Sequence, residues 1–236
     1  MTDSLFDFPV SIKRSQRKTA AIHITDEGVE VRLPYGVKDD FAWSFVREKS
    51  DWIQRKRQLQ KERRSHIPEL DIGQSILWLG QEVTLTYQAA SRWHGFIQDA
   101  VIVIEGPELP TPLQIRAVLE FVYKRQAKRM LPSLTAHVAK RIGATDRLNY
   151  VKFRRTKSKW GHCTHDGVIQ FNWMIMGAPE SVIYYLVCHE ACHLIHHNHS
   201  AAFWSLVKSV CPTVDESERW LKDYGLKLDW FHSKGC

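Results

Sequence analysis

The 236-residue sequence has few cysteines, no long apolar run and no apolar signal core at its start. The five cysteines are odd in number and scattered, so they do not make up a disulfide framework. No apolar stretch approaches the roughly 20 residues that a transmembrane helix needs. The first residues, which include Asp3 and Asp7, are acidic rather than apolar. We therefore expect a cytoplasmic protein that does not associate with membranes.

The composition is that of a globular protein, with 44% hydrophobic and 25% charged residues in a chain long enough to bury a core. A formal net charge of +7 is a weak sign of anionic partners. Most basic clusters are typical of solvated helix faces, but residues 154–159 form a basic segment that ends at Trp160-Gly161 and could hold an anionic substrate group.

The most informative segment is His189-Glu190-Ala191-Cys192-His193. Residues four apart lie on one face of a helix, so His189 and His193 can bind the same metal ion. The preceding residues 182–187 are almost wholly apolar, which predicts a buried helix whose polar side chains must be paired or ligated. Glu190, beside the first ligand, can take the proton of a water molecule. The pattern predicts metal-assisted hydrolysis.

A third ligand is needed for such a site, and a water molecule takes the fourth position. Four residues can supply it: His196, His199, Glu216 and Glu218. Asn198 is tolerated in the left-handed conformation that closes helices, and Ser200 is suited to cap a new helix. A stop followed by a new cap would turn the chain back toward the metal, which favours His199 and leaves the other three open.

Residues 1–106 are predicted to form a β-rich region with one long helix. Two strands around Asp26-Glu27-Gly28 indicate a hairpin, and residues 39–64, which lack glycine and proline, indicate the helix. The short strands that follow, predicted as a small meander, cover residues 75–79, 82–88, 92–97 and 100–104.

Residues 107–236 are predicted to form a second domain, which begins at a proline-rich joint. A long helix should cover residues 113–142, with Pro132 as a break or new start. Strands follow at residues 148–153 and 167–171, then the motif helix from residue 179 to about 197. Two further helices are expected after Ser200 and Pro212. Strands followed by helices, without βαβ alternation, indicate the α+β class.

The motif is accompanied by other characteristic pieces. They are Asn198-His199-Ser200 and Phe203-Trp204 downstream, and Arg154-Arg155-x-Lys157-Ser158-x-Trp160-Gly161-x-Cys163, Ile169-x-Phe171-Asn172-Trp173 and Arg14-x-x-Arg17-Lys18-Thr19 upstream. Together they resemble the YgjP-like metallopeptidase family, of the zincin type and related to SprT-like zinc proteases. The spacing of the three histidines also matches the metzincins. However, the glycine expected at position 196 is a histidine here.

The resemblance implies a zincin-like helical core with a small sheet in residues 107–236. It implies one Zn²⁺ per chain held by His189, His193 and His199, with Glu190 as general base, and the same ligands also accept other divalent metals. It further implies that an edge strand pairs with extended substrate, with residues 169–172 as the candidate and a plain core strand as the alternative. The substrate-binding candidates are Arg154, Arg155, Trp160, His162 and Asn172. His162 replaces a small serine of the family.

Three functions remain open at this point. The first is a zinc peptidase acting on peptides or proteins. The second is a metal-dependent nucleotide pyrophosphatase, which the basic residues 154–159 motivate, although three histidines favour zinc over Mg²⁺. The third is a DNA-associated module with a structural metal. The relation to SprT-like proteins motivates it, but no zinc-ribbon cysteine set or separate DNA-binding motif is visible, so only weak nucleic-acid association is expected.

Overall fold

A computed structural model describes residues 6–25, 27–65, 70–156 and 159–230. The chain divides into two compact units, residues 1–65 and residues 66–236. The boundary that the sequence predicts, between residues 106 and 107, therefore falls inside the second unit. The reason is packing: strand residues before the joint, such as Ile102 and Ile104, share one apolar core with helix residues after it, such as Val118 and Leu119.

The first unit is a three-stranded sheet with two helices. Strands β1 (Val10–Ser15), β2 (Ala21–Ile24) and β3 (Val29–Pro34) lie in the order β1-β3-β2, with β1 parallel and β2 antiparallel to β3. The predicted single helix is two helices, α1 (Asp39–Glu48) and α2 (Ser50–Ser65). They are separated only by Lys49, whose φ of −96° and ψ of 12° leave the helical region.

The second unit begins with a four-stranded sheet of β4 (Ser75–Trp78), β5 (Gln81–Ala89), β6 (His94–Gln98) and β7 (Val101–Gly106). The four predicted strands are all present. Their order is β4-β5-β7-β6, with β5 parallel to β7, and so the sheet is not the simple meander that the sequence suggests. In this order β7 lies between β5 and β6, and β6 is an edge strand of the sheet.

A long helix, α3 (Pro112–Arg141), packs on this sheet. Thr111 caps it, because its side chain accepts from the Gln114 backbone while the Gln114 side chain accepts from the Thr111 backbone. The predicted break at Pro132 does not occur. Proline removes one N–H donor, which leaves the Lys128 carbonyl without its helical partner. Lys128 is exposed, so water can satisfy that carbonyl at little cost.

A smaller sheet carries the elements that surround the motif. Strands β8 (Tyr150–Phe153), β9 (Gly161–Cys163) and β10 (Val168–Phe171) lie in the order β8-β10-β9, with β9 antiparallel and β8 parallel to β10. Three helices follow: α4 (Glu180–Cys192), α5 (Ala201–Val210) and α6 (Val214–Tyr224). The strand β9 lies in a segment that the sequence assigns to a loop. The α+β class is confirmed.

The motif helix α4 is held in place from several sides. It packs on α3, and the 3₁₀ turn Trp173–Gly177 just before it accepts hydrogen bonds from the β4–β5 turn, where Leu79 donates to Met176 and Gly80 to Gly177. Cys188 and Cys192 are fully buried, and burial raises the pKa of each thiol to about 12. In the described part of the chain, no helix has the length and apolarity to cross a membrane.

Candidate metal centre

Two of the predicted ligands lie at the end of α4. The helix forms because its apolar residues, among them Val182, Ile183 and Leu186, are buried against the rest of the unit. It ends sooner than predicted, at Cys192, with His193 as the C-cap. The next residues form tight turns, in which Leu194 donates to Ala191 and Ile195 to Cys192. His189 and His193 therefore share one face at the last turn of the helix.

The third histidine, His199, lies two residues before the start of α5. Ser200 caps α5 by accepting a hydrogen bond from the Phe203 backbone, as the sequence predicts. The helix stop predicted at Asn198 is wrong, because α4 already ends at Cys192 and, among the described non-glycine residues, only Leu79 and Asp99 have a positive φ. The Nε2 atom of His199 lies 3.1 Å from the Nε2 atom of His189. One donor atom from each of His189, His193 and His199 lies within 4.8 Å of the others.

The geometry and chemistry of this group fit a zinc ion. Zn–N bonds of about 2.0–2.1 Å in a tetrahedron place two nitrogen ligands about 3.3 Å apart, close to the separation of His189 and His199. Burial lowers the pKa of His189 to about 4 and also lowers the pKa of His193. Neutral imidazole is the form that binds metal, so these two side chains need not lose a proton at neutral pH. Three ligands leave a fourth position for water.

The remaining candidate ligands have other contacts. The backbone carbonyl of His196, not its ring, lies 2.9 Å from Nδ1 of His193. The Oε1 atom of Glu218 accepts a hydrogen bond of 2.9 Å from the Tyr185 hydroxyl. Among the described residues, neither Glu216 nor Glu218 belongs to the group of converging donors.

Two aromatic residues of α5 pack behind the ligands. The Phe203 ring stacks on His193 with the ring centroids 4.4 Å apart and meets the His189 ring edge-on at 5.0 Å. Trp204 contacts the rings of His189 and His199. These contacts restrict the rotation of the imidazoles and hold their nitrogen atoms toward one point.

We expect removal of the Ser200 cap to weaken this part of the fold. Ser200→Ala should lower the free energy of unfolding by about 1 kcal/mol, because the Phe203 N–H loses its side-chain acceptor. Urea denaturation measures the effect. Ser209→Ala, near the end of the same helix, is the matched control, since its hydroxyl only donates back to the Leu206 carbonyl. Equal stabilities of the two variants would contradict a capping role.

The carboxylate of Glu190 lies beside the histidines and is 5% exposed. Burial raises its pKa to about 8, and the nearby Lys159 ammonium acts in the opposite direction. The backbone of β9 passes directly against it: a Cβ built on Gly161 would lie 2.6 Å from the Glu190 Cδ atom. Only glycine leaves room for the carboxylate at this point. A glycine inside a motif is a signal of such close approach, but the sequence alone does not say what approaches.

The five candidate substrate-binding residues differ in their surroundings. Asn172 is 5% exposed, and its side chain accepts from the Met174 backbone and donates to the Thr156 carbonyl. Its backbone N–H donates to the Trp160 carbonyl at 2.7 Å. These bonds hold Thr156 and Trp160 in place, so Asn172 is suited to position these two residues rather than to contact substrate.

The other four candidates lie on or next to the basic segment. Arg155 approaches the Asp229 carboxylate at 3.9 Å, and Trp160 lies against Gly225. Arg154 and His162 are exposed. His162 is on β9, on the face opposite to Gly161, and its charge is near enough to contribute to the lowered pKa of His193.

The edge strand beside α4 is β9 and not the segment that the sequence proposes. Residues 169–172 were expected as the strand that pairs with substrate, but β10 is flanked by β8 on one side and β9 on the other. Its backbone donors and acceptors are therefore already used. The strand at the end of the sheet, in contact with α4, is β9. The sequence shows the apolar character of β10 but not the order of the strands.

Comparisons with known proteins give the class. The sequence profile described as "YgjP-like, metallopeptidase domain" matches residues 18–224. With a fold of six helices and three small sheets in its described part, this chain is a hydrolase of the metallopeptidase class. Within that class it belongs to the YgjP-like family. The class implies a catalytic metal, and the three converging histidines are the residues that could hold it.

Two solved structures are similar over part of the chain. One is the metallopeptidase zymogen abylysin of Pyrococcus abyssi, with 24% identity and a TM-score of 0.37, covering 41% of this chain and 96% of its own. The other is the metallopeptidase zymogen jannalysin of Methanocaldococcus jannaschii, with 15% identity and a TM-score of 0.35, covering 39% of this chain and 92% of its own. No curated protein matches the chain significantly.

Proposed function

We propose that this protein is a zinc-dependent peptidase in which His189, His193 and His199 bind the metal and Glu190 is the general base. The observation that carries the proposal is the convergence of three imidazole donors within 4.8 Å, next to a buried carboxylate on the same helix. Three imidazoles suit zinc better than Mg²⁺, which prefers carboxylate and water ligands.

The chemistry divides between the metal and the chain. When bound, Zn²⁺ would polarise a carbonyl oxygen and lower the pKa of a water molecule to about 7. Burial raises the pKa of Glu190 to about 8, and the positive charge of a bound metal would lower it, so that the ionised carboxylate can accept the proton of the attacking water and later donate it to the leaving amine. Glu190 is 5% exposed, and the backbone of Gly161 fixes where its carboxylate lies.

We propose that an extended peptide substrate pairs with β9. A strand at the end of a sheet offers backbone donors and acceptors to an added strand, and β9 passes next to Glu190. The exposed side chains of Arg154 and Lys159, which both precede this strand in the sequence, add positive charge. Acidic side chains of the substrate would be favoured there.

The nucleotide pyrophosphatase hypothesis has less support. The converging group consists of imidazoles, whereas a magnesium-dependent phosphohydrolase needs carboxylates to hold its metal. Arg155, one of the residues that motivated the hypothesis, has the Asp229 carboxylate as a neighbour. Association with DNA rests only on the resemblance to SprT-like proteins and on the net positive charge. We therefore advance the peptidase alone.

Metal content is the experiment that tests the proposed site. Elemental analysis of the purified protein should find close to one zinc per chain, and His193→Ala should lose it, because two remaining imidazoles bind zinc much more weakly than three. His199→Ala should behave in the same way. His196→Ala is the matched control and should retain the zinc, since the His196 ring is outside the donor group and only its backbone carbonyl is used.

Two outcomes would contradict the proposed ligand set. A wild-type protein that neither contains zinc nor takes it up when it is added would overturn the proposal. Loss of zinc in His196→Ala together with its retention in His199→Ala would move the third ligand to His196.

A further inference from the structure

The metal ligand His189 is contacted on its far side by a tyrosine. The Oη atom of Tyr185 lies 3.4 Å from Nδ1 of His189, one helical turn earlier on α4, and the two rings meet edge-on with centroids 5.9 Å apart. The same hydroxyl donates a hydrogen bond of 2.9 Å to Oε1 of Glu218 on α6. Tyr185 is 4% exposed, so its hydroxyl depends on these protein partners.

The direction of these hydrogen bonds follows from what each group can do. The Tyr185 hydroxyl has one proton, which the Glu218 carboxylate accepts because a carboxylate is an acceptor only. The lone pairs of the tyrosine oxygen are then left to accept from Nδ1–H of His189. With its proton on Nδ1, His189 presents a free lone pair on Nε2, the atom that lies 3.1 Å from Nε2 of His199.

We propose that Tyr185 and Glu218 are positioning residues for the metal, which fix the tautomer and the orientation of His189 through the chain Glu218–Tyr185–His189. This inference rests on the proposed zinc site. His193 has a simpler device for the same purpose, because its Nδ1 atom faces the backbone carbonyl of His196 at 2.9 Å. The Nδ1 atoms of His189 and His193 thus have different partners, and only the partner of His189 is hydrogen-bonded to a carboxylate.

The negative charge of Glu218, at the end of this series of hydrogen bonds, has a consequence for metal binding. A carboxylate that polarises the tyrosine hydroxyl makes the tyrosine oxygen a stronger acceptor for Nδ1–H of His189. The imidazole then becomes more basic, and its Nε2 atom binds the metal more strongly. Glu218 comes from a helix 33 residues away in the sequence, so the arrangement also couples the position of α6 to the site. Acidic residues on a later helix were considered above as ligands. In this arrangement, Glu218 acts through Tyr185 instead.

Zinc affinity is the measurement that tests the pair, made on the full-length protein by competition with a chromophoric chelator. Tyr185→Phe should raise the Kd for Zn²⁺ by about 10–100-fold, the usual effect of losing an outer partner of a metal-binding histidine. Glu218→Gln keeps an acceptor but removes the charge, so its Kd should lie between those of the wild type and Tyr185→Phe. The double variant should be no weaker than Tyr185→Phe, since Glu218 acts only through the tyrosine.

The chain offers two matched controls. Tyr184 is the next residue on α4, and its hydroxyl contacts Arg141 and the Val210 carbonyl rather than a metal ligand. Glu216 is an exposed acid on α6. Tyr184→Phe and Glu216→Gln should leave the Kd for Zn²⁺ within about twofold of the wild type. Replacing zinc with Co²⁺ adds a spectroscopic readout: the visible absorption of bound cobalt should change in Tyr185→Phe and not in Tyr184→Phe.

Several results would overturn the inference and leave the zinc site intact. They are a Kd for Tyr185→Phe equal to that of Tyr184→Phe, a Glu218→Gln variant no weaker than Glu216→Gln, or additive losses in the double variant. A purely structural link between α4 and α6 would lower the free energy of unfolding in Tyr185→Phe without changing the Kd. Failure of the wild type itself to bind zinc would instead overturn the proposed function.

Discussion

Glu190→Gln is expected to lower peptide turnover by about 10³-fold or more and to leave the zinc content unchanged. Glutamine has nearly the same size as glutamate but cannot accept a proton at neutral pH, so the attacking water loses its base. The side chain of Glu190 is not part of the converging donor group, which consists of three histidines. The expected loss is therefore in kcat rather than in metal binding. Turnover of a peptide library, measured beside elemental analysis, checks both parts.

The control for this prediction lies on the same helix. Glu180 is an exposed residue in the first turn of α4, so Glu180→Gln removes the same charge far from the histidines and should leave turnover at the wild-type level. If Glu190→Gln retained more than about a tenth of the wild-type turnover, Glu190 would not be the general base, and another acceptor near the histidines would have to be sought.

Gly161→Ala is expected to lower kcat by about 10²-fold in a protein that still folds and still binds metal. The new methyl group would lie 2.6 Å from the Glu190 Cδ atom, well inside van der Waals contact. The Glu190 Cγ atom would also lie only 2.5 Å away, so the whole side chain, and not just its carboxylate, must leave its present rotamer. A flexible side chain can do this without unfolding the sheet. The general base is then displaced by an ångström or more, and a displacement of that size is enough for a loss of this order.

Three measurements separate this effect from general damage. Thermal unfolding should show a folded protein, zinc content should stay near that of the wild type, and kcat should fall. Gly225→Ala is the matched control, because its Cβ would make an ordinary contact of 3.4 Å with Trp160, the residue next to Gly161. We expect Gly225→Ala to keep its activity. Full activity of Gly161→Ala would show that Glu190 does not need its present position.

The sequence was sufficient where the information is local. The spacing of His189 and His193 predicts a shared helix face, and the apolar residues before them predict burial, since both follow from the geometry of one helix. Ser200 predicts the cap of α5 beside His199, because capping depends on a few neighbouring residues, whereas the helix stop predicted at Asn198 is wrong. The α+β class and the approximate bounds of most elements could be predicted for the same reason.

The sequence was not sufficient where residues far apart in the chain meet. The order of strands made β9 the edge of the small sheet, and the packing of β4–β7 on α3 moved the division of the chain to residues 65 and 66. Continuous helix through Pro132 depended on the exposure of one carbonyl. Each of these outcomes is a difference between alternative packings of the same elements, and local patterns do not contain that difference.

The sequence by itself thus determined the chemistry available to this protein: two histidines and a glutamate on a buried helix, with a third histidine six residues after the second. Only the tertiary structure decided the surroundings of that chemistry. It placed the backbone of Gly161 against the Glu190 carboxylate and joined Glu218 through Tyr185 to His189. The physical reason is that ligand spacing is set by the geometry of one helix, whereas the outer contacts of a site are made between elements that only folding brings together.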